Sequence, residues 1–167
     1  MQIERIAEPG RWTAALAALL VETVGAGASL GFVEPFTVDD AVGWWERYLP
    51  TAVVLIARDG EEVVGTVSLG LAMPANGSHR ADLKKLMVKP SARRRGVGAA
   101  LVAAAETEAR AQARTLMVLD TVTGSGAEHM YRHLGYTPVG MIPGYAMGPR
   151  DGVLESTTVF YKQLDPQ

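Results

Sequence analysis

Arg93-x-x-Gly96-x-Gly98 is the spacing in this chain best suited to chemistry. It follows an apolar run, Leu86-Met87-Val88, that stops at Lys89-Pro90. An alanine-rich stretch with strong helix propensity follows it from Val97. Strand, turn and helix start are therefore expected in that order. A helix start presents backbone N–H groups without intrahelical partners and the positive end of the dipole. Gly96 and Gly98 lack a Cβ, so a ligand can approach the backbone closely, and Arg93, Arg94 and Arg95 add charge. Together these features suit a bound anion, above all a phosphate. Two other phosphate loops do not fit. A Walker A loop needs a Lys-Ser/Thr pair, and none follows Gly98. A dinucleotide fingerprint needs a third glycine where Leu101 stands.

The remaining reactive side chains are sparse. The chain has no cysteine, which excludes disulfides, thiolate metal sites and a cysteine nucleophile, and fits a reducing compartment. His129 and His133 are four apart on one expected helix. That spacing can ligate a metal, but no adjacent Glu or third ligand accompanies it, so a solvated face and no metal are expected. His79 lies in a loop and is a weaker base candidate.

The elements that must position these residues read as one mixed α/β domain over residues 1–167. The chain is 48% apolar and 20% charged, with a net charge of −2. That balance suits a folded core and argues against general nucleic-acid binding, so the arginine cluster is read as a local site. Trp12–Val24 is apolar but contains Glu22 and lacks a basic leader, so it reads as an amphipathic helix. No run reaches the roughly 18 apolar residues of a membrane span. A cytoplasmic chain with no membrane partner is expected.

Strands are expected at Gln2–Ala7, Thr51–Arg58, Glu61–Leu71, Arg80–Val88, Leu116–Asp120, Tyr136–Met141 and Leu154–Leu164. Asp59-Gly60 is expected to turn a hairpin. Helices are expected at Arg11–Val24, from Thr37 to Tyr48, at Val97–Arg114, and from Ser125 to Leu134. Thr37 with Asp40, and Ser125 with Glu128, have capping-box spacing. Gly25–Phe36 and Pro143–Gly152 read as loops.

Over about Arg80–Tyr136 the sequence resembles the GNAT family of acetyl-CoA-dependent N-acetyltransferases. Arg93–Gly98 matches the family's Arg/Gln-x-x-Gly-x-Gly/Ala loop, and Val88-x-Pro90 matches the end of its fourth strand. Ala127, Tyr131 and Gly135-Tyr136 match its Ala-x-x-x-Tyr-x-x-x-Gly-aromatic segment. Within the family it looks most like the tabtoxin-resistance type, on KLMV-x-PSAR, LDT and GYTPVG. Gly124 departs from the pattern, which often has Asn there.

The resemblance implies a roughly seven-stranded mixed sheet with helices on both faces and two splayed central strands. The pantetheine arm of acetyl-CoA would lie along Leu86, Met87 and Val88. Its pyrophosphate would lie on the loop from Arg93 through Arg94, Arg95, Gly96, Val97 and Gly98 to Ala99. Val88 would offer its N–H to the oxyanion, and Tyr131 would protonate the leaving thiolate.

The general base is open between Asp82, on the fourth strand, and Asp120, which ends an apolar strand at the mouth of the splay. Either carboxylate could attract a cationic amine and relay its proton. Phe32, Phe36, Trp44 and Tyr145 are candidate walls of an acceptor pocket, with core packing the competing reading, as it is for Trp45.

The expected activity is direct acetyl transfer to a primary amine of a small molecule. A protein N-terminal or lysine acetyltransferase and a non-catalytic acyl-CoA-binding module are the alternatives. A homodimer is compatible with the sequence but not readable from it.

Overall fold

The computed structural model describes residues 1–165. The strands are β1 (Gln2–Arg5), β2 (Val53–Asp59), β3 (Glu62–Gly70), β4 (Arg80–Val88), β5 (Leu116–Val122), β6 (Thr137–Met147) and β7 (Leu154–Gln163). The helices are α1 (Pro9–Gly25), α2 (Val38–Tyr48), α3 (Val97–Ala111) and α4 (Gly126–His133). The strands form one seven-stranded mixed sheet in the order β1-β2-β3-β4-β5-β7-β6. Only the β4–β5 neighbours run parallel. The expected fold class is borne out.

Each face of the sheet carries its own core. Leu16, Leu20 and Val24 of α1 pack with Ala41 and Trp45 of α2 against Val54, Ile56, Val63 and Met87. Val97, Leu101, Val102 and Ala105 of α3 pack on the other face with Tyr131, Leu83, Met117, Leu119 and Phe160. Trp45 is fully buried, so of the two adjacent tryptophans this one is core.

Local chemistry explains the ends of the elements. Thr37 caps α2 with a full capping box: its hydroxyl accepts from the Asp40 N–H, and the Asp40 carboxylate accepts from the Thr37 N–H. At α4, Ser125 accepts from the Glu128 N–H, but the Glu128 carboxylate accepts from the Gly124 N–H rather than closing a box on Ser125. The β2–β3 hairpin turns one residue later than expected. Asp59 pairs with Glu62, so Gly60 and Glu61 occupy the turn, and Gly60 supplies the positive φ of 62°.

One further expectation needs correction, and β4 departs from regular alternation. Pro143–Met147 is not loop but the second half of β6, which pairs with β7 through Ala146↔Glu155 and Met147↔Leu154. β6 is an edge strand, where a proline costs no ladder bond on its open side. Its register also shifts between Ile142 and Ala146, around Pro143. Lys85, with φ of 52°, interrupts β4: Thr66 pairs with Met87 but Ser68 with Lys84, so β4 carries one extra residue. Strict alternation would put Asp82, Lys84 and Leu86 on one face. Beyond the bulge Leu86 instead packs with the α3 core, and Met87 joins the α1–α2 core.

Gly65 sets how closely α3 approaches the sheet. A Cβ there would lie 2.9 Å from the Met87 carbonyl oxygen, 3.0 Å from Leu101 Cδ1 and 3.1 Å from Val97 Cγ1. The Gly65→Ala variant should therefore be destabilised by about 1–3 kcal/mol, the usual range for overpacking, as read by urea unfolding.

Candidate functional site

The β4–β5 ladder is short. It holds Arg80↔Leu116, Ala81↔Met117 and Asp82↔Val118, and then ends. From Leu83 to Val88, β4 has no ladder partner on its β5 side, so the sheet opens. Val88 directs its amide into this opening. The Lys89 N–H donates to the Val64 carbonyl at 2.9 Å, and antiparallel ladders alternate, so the N–H one residue earlier points away from β3.

A cavity of about 780 Å³ sits on one side of the opening. Leu86, Met87 and Val88 line it, with Arg93, Arg94, Gly96, Val97, Gly98 and Ala99 at its basic end. Gly96 is the N-cap of α3 with φ of 80°, and no side chain caps the helix. The first-turn amides of α3 are thus left for a ligand. A Cβ at Gly96 would meet nothing within 4 Å, so it is the backbone conformation that calls for glycine there. These residues fit a phosphate-bearing ligand with an extended arm. Arg95 does not join them: its guanidinium reaches Asp59 at 3.3 Å and leaves the cavity to Arg93 and Arg94. The Arg93 Nε donates to the Val88 carbonyl at 3.3 Å, tying the loop to the strand.

A second cavity, of about 360 Å³, adjoins the first. Asp120, Tyr131, Tyr145, Lys85, Glu155 and Thr157 are among its lining residues. Tyr131 is 4% exposed and packs edge-on to Tyr136 at 5.5 Å. Burial, with the Asp120 charge adding to it, raises the Tyr131 hydroxyl well above its ordinary value, so it stays protonated. Thr157 donates to the Asp120 carboxylate and to the Thr121 carbonyl, both at 3.0 Å.

Asp82 lies elsewhere. It sits where β4 and β5 are still paired, beside Lys84 at 3.4 Å and Arg80 at 3.8 Å, and lines neither cavity. Of the four aromatic candidates only Tyr145 lines a cavity. Phe32, Phe36 and Trp44 form a packed cluster instead, with ring centroids 4.7 Å apart for Phe32–Phe36 and 5.1 Å for Phe32–Trp44.

The link between that cluster and the site is Lys85, which the sequence reading missed. Its ammonium lies over Phe32 at 4.9 Å and Trp44 at 5.3 Å and donates to the Leu30 carbonyl. Burial holds its pKa down, Lys84 adds to that, and Asp120 opposes it. Residues 26–31 run along both cavities: 26–30 line the first and 29–31 the second, with Ser29 and Leu30 common to both. Ala26, Gly27 and Ala28 are tied to α1 through Glu22, Val24 and Thr23 carbonyls, and Lys85 fastens the stretch beyond. His129 and His133 are exposed, the His133 ring bonding the His129 carbonyl at 2.7 Å.

Residues 26–136 match the acetyltransferase (GNAT) family. The chain belongs to that family. Over 97 residues it is also 35% identical to aminoglycoside N(6')-acetyltransferase type 1 of Klebsiella aerogenes, a match covering 56% of this chain. It spans 64%, just under two thirds, of that relative's length. Among solved structures, an N-acetyltransferase from Staphylococcus aureus Mu50 superposes with a TM-score of 0.81 at 15% identity, covering 99% of this chain and 100% of the other. The yncA protein of Salmonella typhimurium, solved with its cofactor acetyl-CoA, gives 0.78 at 21% identity, covering 99% and 95%. Both likenesses are of fold. Among the described residues no helix is long and apolar enough to cross a membrane.

Proposed function

We propose that this GNAT chain moves the acetyl group of acetyl-CoA directly to a primary amine of a small molecule, such as an amino acid, a polyamine or an amine-bearing antibiotic or toxin. The observation that carries the reading is the opening between β4 and β5. It joins a cavity with an uncapped helix start and two arginines to one with carboxylates and a buried phenol. The acetyl-CoA thioester supplies the activated acyl group. Within this reading the amides of residues 94–99 hold the pyrophosphate, and Leu86–Val88 hold the pantetheine arm as an added strand. The Val88 N–H faces the acetyl oxygen. Tyr131, kept protonated by burial, gives its proton to the leaving thiolate. Asp120 is the favoured base, drawing in the ammonium and taking its proton so that the free amine attacks the thioester, since Asp82 stands outside both cavities.

The aminoglycoside acetyltransferase relative supports an amine-bearing small molecule as acceptor. KLMV-x-PSAR, LDT and GYTPVG support a tabtoxin-resistance type within the family. Ser29, Leu30 and Gly31, fastened by Lys85, wall the acceptor side, which favours a small molecule over a protein chain. One domain in a reducing cytoplasm, acting without a metal, completes the proposal.

The test is thiol release from acetyl-CoA across a panel of amino acids, polyamines, aminoglycosides and peptides. Release with at least one small amine is expected. Acetyl-CoA binding without release for any amine would reduce the protein to an acyl-CoA-binding module, and release with peptides alone would point to protein acetylation.

A further inference from the structure

Seven residues line both cavities, and Glu155 is the one among them with an ionisable side chain. It stands on β7, opposite Ala146 of β6. Its Oε2 is buried and has no hydrogen-bond partner among the described residues. A carboxylate oxygen in that condition needs explaining, because removing it from water without a donor costs free energy. The nearby cation does not supply one, since the Lys85 ammonium is engaged by the Leu30 carbonyl and the Phe32 and Trp44 rings.

Register places Glu155 in a row. Val122 lies opposite Thr157 and Asp120 opposite Val159, so Asp120, Thr157 and Glu155 project from one face of β5 and β7. Thr157 satisfies one Asp120 oxygen at 3.0 Å. Glu155 is two residues along the same strand, nearer the junction with the first cavity. The row is therefore a carboxylate, a hydroxyl and an unpartnered carboxylate leading to the place where the two cavities meet.

We propose that Glu155 receives the ammonium of the acceptor amine at the junction of the two cavities, making it a substrate-binding residue that selects acceptors carrying a positive charge. This rests on the transferase reading above and names the group that holds its second substrate. Oε2 is closed off from the cavities, so an ammonium at the junction would meet the other oxygen of the same carboxylate, Oε1, and offset a buried charge that has no partner; a charge-assisted hydrogen bond is roughly twice as strong as a neutral one. Asp120 would favour the same cation from the second cavity.

The test compares wild type with Glu155→Gln and Glu155→Asp, using two classes of amine. Aliphatic primary amines are cationic at pH 7, whereas alkoxyamines are neutral there. Glu155→Gln should raise the KM of the cationic acceptors about tenfold or more, the scale of a lost charge-assisted hydrogen bond. The KM of the neutral amines and the affinity for acetyl-CoA should each move less than about twofold. Glu155→Asp keeps the charge and should recover part of the loss, and it carries the test if the glutamine variant does not fold. Equal loss for both amine classes, or an unchanged KM for the cationic ones, would overturn the assignment while leaving the transferase intact. A wild-type protein that releases thiol with no amine would instead overturn the transferase reading and this assignment with it.

Discussion

Replacing Tyr131 by phenylalanine should lower kcat for thiol release by about 10²-fold or more, the usual scale for one acid–base group. The expectation rests on where the hydroxyl stands. It belongs to a side chain 4% exposed, yet it lines the second cavity, and no hydrogen bond joins it to another described residue. Deleting it should therefore cost little stability, and Tm should hold. The KM for acetyl-CoA should also change little, because Tyr131 does not line the cavity assigned to the donor. The sign of the pKa shift adds a check. Burial and the Asp120 charge push the phenol upward, so it keeps its proton as pH rises through its ordinary value of about 10. The alkaline limb of kcat up to that pH should thus show no ionisation from Tyr131. Full turnover by the phenylalanine variant would leave it a core aromatic.

The second large effect belongs to Gly98. Gly98→Glu should weaken acetyl-CoA binding by about 10²-fold or more, measured by calorimetry, since two like charges about 4 Å apart repel by roughly 1–4 kcal/mol in water or near a surface. Shape adds to charge. A Cβ at Gly98 would lie 3.1 Å from Met130 Sδ and 3.7 Å from Val88 Cγ2, so a longer side chain is driven toward the cavity. Gly98→Ala is the control. The Met130 thioether is flexible and can yield, and alanine improves helix propensity by about 1 kcal/mol. That variant should fold normally and bind acetyl-CoA within about tenfold of wild type. Unchanged affinity in Gly98→Glu would remove the phosphates from this loop.

The parts of the site written in local chemistry were legible in the sequence. The loop Arg93–Gly98 announces itself by charge and glycine, Thr37 and Asp40 by capping, and Ala127–Tyr131–Gly135 by helical spacing and a terminating glycine. What stayed hidden depends on pairing between distant strands. The bulge at Lys85 has no sequence mark, because a lysine rather than a glycine holds the positive φ, and it reverses which residues of β4 face each core. Asp82 and Asp120 are both legible as base candidates, yet only the extent of the β4–β5 ladder separates them. Phe32, Phe36 and Trp44 have the composition of a pocket, but they pack on one another around an ammonium. Prolines and glycines in Pro143–Gly152 signal a loop, and the sheet edge accommodates part of that stretch as strand. Glu155 lies in a strand expected from the sequence, but nothing local marks it, and only the register of β7 brings it to the junction of the cavities.

The missing side chain at Gly65 also turns the protein into a ruler. Val97, in the first turn of α3, and the Met87 carbonyl, beside Val88, are both held against that one bare backbone position. The span from the α3 amides to the Val88 N–H is thereby a fixed length rather than an adjustable one. On the proposed assignment, donors are sorted by measurement as much as by chemistry. A thioester that lacks the nucleotide can lie along the strand but brings no pyrophosphate to the loop, so it loses the anchor at the other end of the span.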